Sequence, residues 1–321
     1  MAVKFFLTLF LALLSFCQRR LPESVGKARD VVVVSPEIDS SLIVNNLQIY
    51  QYVPQREPYF IFIFATDTML KSVKQFHSIF LYGSLKDIFI SELLNEEARA
   101  VTKKDTFNLF KVENLWAKNQ TVVILAVSER EYIPRGMNKY QKIIKKLLEE
   151  EYYRKVKLAF YEKEIDNNLK KHLKRFGWEL DLPVGWMIDS TYKNENFIYV
   201  HTHYPDRSIF LYKEKETVQL NDSIAIQKRN TLTKKYYNGD YILKEFTKIE
   251  PIEFQNFKGF RMKGVWQNDS LVAGGPFLCY LLSQRDSLFI IDGILFAPGE
   301  RKTDYMMGLE VILNSFKLVH P

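Results

Sequence analysis

Short β-branched and aromatic runs alternate with helical spacing through the first half of the chain, and strands separated by tight turns fill most of the second. Val31 to Ser35 is an unbroken β-branched run, the pattern of a strand covered on both faces. Ile38 to Leu47 then reads as a short helix, and Tyr59 to Ala65 and Phe76 to Tyr82 as two further strands, the latter closed by Gly83. Thr121 to Val127 is another β-branched strand. Neither Gly nor Pro interrupts the stretch after Gly136 until Gly177. Ile143, Ile144, Leu147 and Leu148 carry the i, i+3, i+4 spacing of an amphipathic helix, so Met137 to Phe176 is expected as two helices or one bent helix, with Gly177 as its terminator.

The second half opens on Trp178 to Trp186, where Pro183 and Gly185 mark a turn. A strand is expected over Phe197 to Tyr204 and a helix over Asp222 to Tyr237, with Asn221 or Asp222 as N-cap. Strands follow at Gly259 to Trp266, Gly275 to Ser283 and Ser287 to Phe296, punctuated by Asn268-Asp269 and Arg285-Asp286. Tyr305 to Phe316 closes the pattern as a helix. The expected class is α+β: two layered domains, the second an antiparallel sheet with flanking helices. The implied boundaries are 30–176 and 177–321, after a polar tether at 17–29 and a leader at 1–16.

The leader changes the picture most. Met1 to Lys4 is a short positive region, and Phe5 to Phe16 is an apolar stretch of about a dozen residues, the length of a secretory signal rather than of a bilayer span of about twenty. It ends in Leu14-Ser15-Phe16-Cys17, which resembles a bacterial lipobox, with Phe16 where a small residue is usual. Cys17 is therefore the expected lipid-attachment residue. The alternatives are an uncleaved signal anchor or a plain signal cut elsewhere. The cysteine count agrees with that role: only Cys17 and Cys279 are present, and Cys279 lies in the apolar run Phe277 to Leu282, so no disulfide framework exists.

Composition adds bounds. The 321 residues are 47% hydrophobic and 26% charged, enough apolar material for sizeable cores. The net charge of +7 is spread among acids, as in Lys142 to Glu151, and no basic run or nucleic-acid motif accompanies it. No nucleic-acid partner is expected.

Few residues could carry chemistry. His201 and His203 alternate on a predicted strand and so share a face, with Asp206 close by, which makes these three a candidate metal set for a hydrolase. The plainer reading is two surface histidines. Gly274-Gly275 lacks the setting of a phosphate loop and reads as a hairpin or bulge. No nucleophile elbow or HExxH helix occurs, so no catalytic residue and no cofactor are assigned.

Several stretches together resemble an uncharacterised family of Bacteroidetes envelope lipoproteins known as domain of unknown function 4837. They are Leu21-Pro22-Glu23-Ser24-Val25-Gly26-Lys27, Pro54 to Pro58, Trp116 to Gln120, Gly264-Val265-Trp266, Gly274-Gly275-Pro276-Phe277, Asp292-Gly293, Phe296-Ala297-Pro298-Gly299 and Ile312 to Phe316. The resemblance implies a lipid anchor at Cys17 and carries no activity. The second half is also similar to PsbP-like sandwiches, through the Pro183 to Trp186 turn, a helix, a meander and a closing helix ending in Ser315-Phe316-Lys317. The expectation is a non-catalytic outer-membrane lipoprotein facing the periplasm, held by N-terminal lipid and binding an envelope protein, glycan or lipid. Its expected contact surface is Trp266, Gly274, Gly275, Phe277, Phe296, Arg301 and Lys302, where aromatics and permissive glycines cluster.

Overall fold

The computed structural model describes residues 21–52, 54–215 and 220–319. Cys17 and the whole leader lie outside the described residues. In chain order the first half runs β1 (Asp30–Val34), α1 (Ser40–Leu47), β2 (Tyr50–Tyr52), β3 (Arg56–Pro58), β4 (Ile61–Ala65), α2 (Leu70–Val73), β5 (Ser78–Ser84), α3 (Ile88–Leu93), α4 (Glu96–Asp105), β6 (Phe107–Glu113), β7 (Thr121–Val127), α5 (Ile133–Tyr161) and α6 (Asn167–Lys174). The second half runs β8 (Trp178–Glu179), β9 (Met187–Asp189), β10 (Phe197–Thr202), β11 (Asp206–Lys215), α7 (Asp222–Tyr236), β12 (Tyr241–Phe254), β13 (Phe257–Asn268), β14 (Ala273–Gln284), β15 (Ser287–Phe296), α8 (Thr303–Asn314) and β16 (Lys317–Leu318). The chain is α+β, as its pattern implies.

The first sheet has the order β4-β1-β5-β7-β6, parallel except for β6. Its central strands have no polar face because both faces are covered. Val31, Val33, Phe80, Tyr82, Val123 and Leu125 pack against α1 and α5, while Val32, Val34, Ile79, Leu81, Val122 and Ile124 pack toward Ile90 and Leu94. Two side chains on α5, Glu151 and Arg154, bond across to the starts of strands or to the loop before β7. The Glu151 carboxylate is buried at 3% exposure and accepts from Thr121 Oγ1 at 2.9 Å and from Arg154 Nη2 at 2.6 Å, with His77 Nδ1 at 3.3 Å. Arg154 Nη2 also donates to the Asn119 carbonyl at 2.8 Å.

The expected long helical stretch is two helices. α5 begins earlier than the Gly- and Pro-free region, because Pro134 sits at its first turn, where a missing N–H costs nothing, and Gly136 fits against Phe107 and Leu125. Asp166 ends the gap by accepting from the Asn168 and Leu169 amides, which starts α6.

The second sheet is antiparallel throughout its seven strands, in the order β12-β13-β14-β15-β11-β10-β9. Strand β14 shows how it is covered. Phe277, Cys279 and Leu281 face α7, and Leu278, Tyr280 and Leu282 face α8, so the run looks continuously apolar while alternating between two cores. Cys279 is buried and unbridged. Gly274 and Gly275 lie inside β14, in an arm of the β13–β14 hairpin rather than in its turn or at a bulge, and a Cβ on Gly275 would meet the Leu295 carbonyl oxygen at 2.1 Å. They are glycine because neighbouring backbone approaches too closely for a side chain.

The two sheets share packing. Tyr153 and Val156 of α5 touch both cores, Phe160, Leu169 and Leu173 belong to the second, and Met307 of α8 enters the first. The β2–β3 hairpin reaches across as well. Its Glu57 carboxylate accepts from the amides of Lys302 and Thr303 and from Thr303 Oγ1, at 2.7–3.1 Å. An anion there satisfies the free N–H groups at the start of α8 and favours its dipole.

Candidate functional sites on the two sheets

The first candidate lies at the carboxyl ends of the parallel strands. From β1 the chain moves to β4 on one side and then to β5 on the other, so strand order reverses between β1 and β5. Loops diverge at such a point and leave a crevice. A cavity of about 320 Å³ lies there, lined in part by Ser35, Glu37, Asp39, Tyr82, Asp87 and Arg130. Asp39 caps α1 by accepting from the Leu42 amide at 2.8 Å. Tyr82 Oη accepts from the Asp39 amide and donates to the Glu37 carbonyl. Arg130 Nη2 donates to Asp87 Oδ1 at 2.6 Å and also pairs with Glu37. Burial alone would raise the Asp87 carboxyl, but the bonds from Arg130 and from Ser84 N and Oγ outweigh it and hold Asp87 below the ordinary carboxylate range. The polar groups that line this crevice largely satisfy one another.

The second candidate lies on the α7-facing side of the second sheet. Register brings residues from distant stretches into rows. Met262, Cys279, Asp292, Phe210 and Tyr199 form one row, and Gly264, Phe277, Ile294, Ser208 and His201 form the next. In the row beyond, Trp266 pairs with Gly275 and Asp206 with Phe296. Alternate residues of a strand share a face, so all of these point the same way.

Helix α7 covers the first of these rows. Its Arg229 has no exposure and binds the equally buried Asp292 through Nε at 2.5 Å and Nη2 at 3.2 Å, with its guanidinium over the Phe277 ring at 4.1 Å. Arg229 Nη1 and Trp266 Nε1 are buried without a hydrogen-bond partner among the described residues. Toward the sheet end the cover thins. Phe296 is 36% exposed with its ring 6.4 Å from that of Trp266, and His203 and Asp206 are more than half exposed.

Members of two sets that the sequence offered separately, His201 and Asp206 of the metal set and Trp266, Gly275, Phe277 and Phe296 of the contact surface, thus share one face, with His203 in the turn after β10. His203 Nδ1 lies 2.7 Å from Asp206 Oδ1, and the His201 ring is edge-on to His203 at 5.4 Å. Among the described residues, no group of three His, Cys, Asp or Glu side chains is placed to hold a metal. The expected contact surface is corrected in its details. Trp266, Gly275, Phe277 and Lys302 are buried, Gly274 is half-buried, and Phe296 and Arg301 are exposed. Phe277 and Trp266 serve the α7 core, and the Lys302 amide is taken by Glu57.

Sequence reading missed the switch-point crevice, although its signal was present: a Val run followed by Ser35-Pro36-Glu37-Ile38-Asp39, with an acidic cap three residues before Leu42. It also missed a second cavity of about 410 Å³, lined by Pro54, Leu243, Val265, Trp266 and the Gln267 to Gly274 hairpin excepting Ser270 and Leu271.

Residues 164–315 match the family model described as Domain of unknown function (DUF4837). The match begins where α5 has ended and covers every later element through α8, leaving β16 outside. No curated protein matches the chain. Among solved structures, a protein of Bacteroides thetaiotaomicron VPI-5482 is similar at 8% identity, with a TM-score of 0.29 over 45% of this chain. The chain spans 46% of the length of that structure. The cyanobacterial PsbP (CyanoP) of Synechocystis sp. PCC 6803 is similar at 12% identity and TM-score 0.32, over 45% of this chain and 88% of that one. LpqN of Mycobacterium tuberculosis, described as involved in cell envelope biogenesis, is similar at 12% identity and TM-score 0.30, over 44% of this chain and 83% of that one. Likenesses this distant carry no argument about function.

Proposed function

We propose that this chain is a lipid-anchored protein of the bacterial cell envelope, facing the periplasm from the outer membrane, that acts by binding rather than by catalysis. The observation that carries the reading is the α7-side end of the second sheet. There Phe296 and Asp206 stand exposed as a register pair, with His203 in the adjoining turn, beside the 410 Å³ cavity under the Gln267 to Gly274 hairpin. An exposed aromatic next to a paired histidine and carboxylate is a contact surface, with an apolar anchor and a polar margin. The anchor is supported by Phe5 to Cys17 in the sequence. Among the described residues no helix is long and apolar enough to cross a membrane, so membrane attachment in this reading falls to the acyl chains.

Photo-crosslinking in cells tests the surface whatever the partner is. A benzophenone side chain at Phe296 is expected to give a discrete adduct with protein, glycan or lipid, and the same group at Ile88, 72% exposed at the start of α3, none. Equal or absent adducts at the two positions would remove the surface from the proposal.

A further inference from the structure

The second sheet ends in a rim that carries exposed apolar side chains from several separate connections. Val272, in the β13–β14 turn, is 92% exposed, and its neighbour Leu271 is 61% exposed. Tyr204, in the β10–β11 turn, is 98% exposed. Phe296 ends β15, Met187 begins β9 at 45% exposure, and Val184 at 59% lies beside Gly185, whose carbonyl accepts from Thr202 Oγ1. Register puts these at one end: Trp266 with Gly275, Phe296 with Asp206, and Met187 with His201.

Folding does not account for this composition. Val272 has φ +49°, a left-handed backbone that a β-branched side chain adopts at a cost and that Asn or Gly adopts readily. Val272 strains the backbone and packs against almost nothing, so burial within the fold does not explain an apolar side chain there. The six side chains stand at turn apices and strand ends rather than on one flat face. A rigid protein partner needs a matched pocket for each such projection, whereas a fluid apolar phase accepts them without shape matching.

The described chain begins at Leu21, and Pro22 to Val25 are held on the first sheet by backbone bonds to Lys118, Gln75 and His77. The turn after Phe296 leads into α8, whose Asp304 lies 3.2 Å from Arg29, only eight residues after Leu21. Cys17, the predicted acylation residue, is four residues before Leu21, so an acylated chain would hold the molecule within a short tether of its bilayer.

We propose that this rim, centred on Tyr204, Leu271 and Val272, rests in the interfacial layer of a lipid bilayer. The anchor would then fix the molecule's orientation as well as its location. The inference deepens the anchored-binding reading by naming the bilayer as the occupant of its exposed end.

The test is quenching by brominated lipid. The full chain is added to phosphatidylethanolamine–phosphatidylglycerol vesicles with or without bromine on the acyl chains. Leu271→Trp and Ile88→Trp are each read as the difference from wild type. The proposal expects emission from position 271 to shift to shorter wavelength and to be quenched, and emission from position 88 to do neither. Adding Val272→Asn and Tyr204→Ser to the Leu271→Trp chain is expected to reduce the quenching, with the melting temperature unchanged or raised. Unquenched emission at position 271 on chains whose intact mass includes acyl groups overturns the rim while leaving the anchor. Quenching without acyl mass keeps the rim and overturns the anchor. Equal quenching at both positions also overturns the rim, because it shows undirected adsorption.

Discussion

Asp292 and Arg229 illustrate what a buried charge demands at the scale of one residue. Both have no exposure, and the carboxylate takes two of the guanidinium's donors while Nη1 has no hydrogen-bond partner among the described residues. The pair is close enough to sustain its charges, but its net worth over an apolar pair of similar volume is small. Removing one member is different. Asp292→Asn should destabilise the chain by about 3–5 kcal/mol in denaturant unfolding, because Arg229 would remain charged and uncompensated inside the α7 core. A loss no larger than that of an exposed substitution would show that water reaches the pair. Asp292 was visible in sequence only as part of Asp292-Gly293 within an apolar run, and nothing local to either residue indicated a partner 63 positions away.

Among the elements, α5 is held to the first sheet by a titratable contact. Burial alone would raise the Glu151 carboxyl, but hydrogen bonds from His77, Arg154 and Thr121 outweigh it and hold Glu151 below its ordinary range. A carboxyl lowered by folding contributes stability that is complete above its unfolded value, about 4.3, and is lost as pH falls through the folded value. Wild-type stability should therefore fall more between pH 7 and pH 3 than that of Glu151→Gln, in urea titrations at each pH. Parallel losses would show that other carboxylates dominate. The helix itself was legible, since Ile144 and Leu148 sit at its buried positions. Strands with strong β-branched or aromatic runs were legible too, including β1, β7 and β15. Elements with mixed faces were not. β12 carries Lys244, Glu245, Lys248, Glu250 and Glu253 because it is an edge strand with a bulge between Leu243 and Lys248, and that polarity hides its period. β6 is the other such edge, with only Phe107 buried. The candidate surface was legible only in outline: the expected strand to Tyr204 implied His201 and His203 on one face, whereas β10 ends at Thr202 and His203 lies in the turn, and only the register of β11 against β15 brings Phe296 to Asp206.

At the scale of the molecule, three devices join the two sheets: α5 running through both cores, α8 reaching Met307 into the first, and Glu57 accepting the opening amides of α8. One end of the second sheet is left with apolar projections. A lipid anchor at Cys17 makes that arrangement coherent, because it supplies the membrane next to which the exposed end would work. The most direct test is the intact mass of membrane-extracted protein, wild type beside Cys17→Ser. The account predicts a wild-type chain that begins at Cys17 and carries added acyl mass, absent from the variant. A wild-type chain that keeps Met1, or one cut elsewhere without acyl mass, would contradict it.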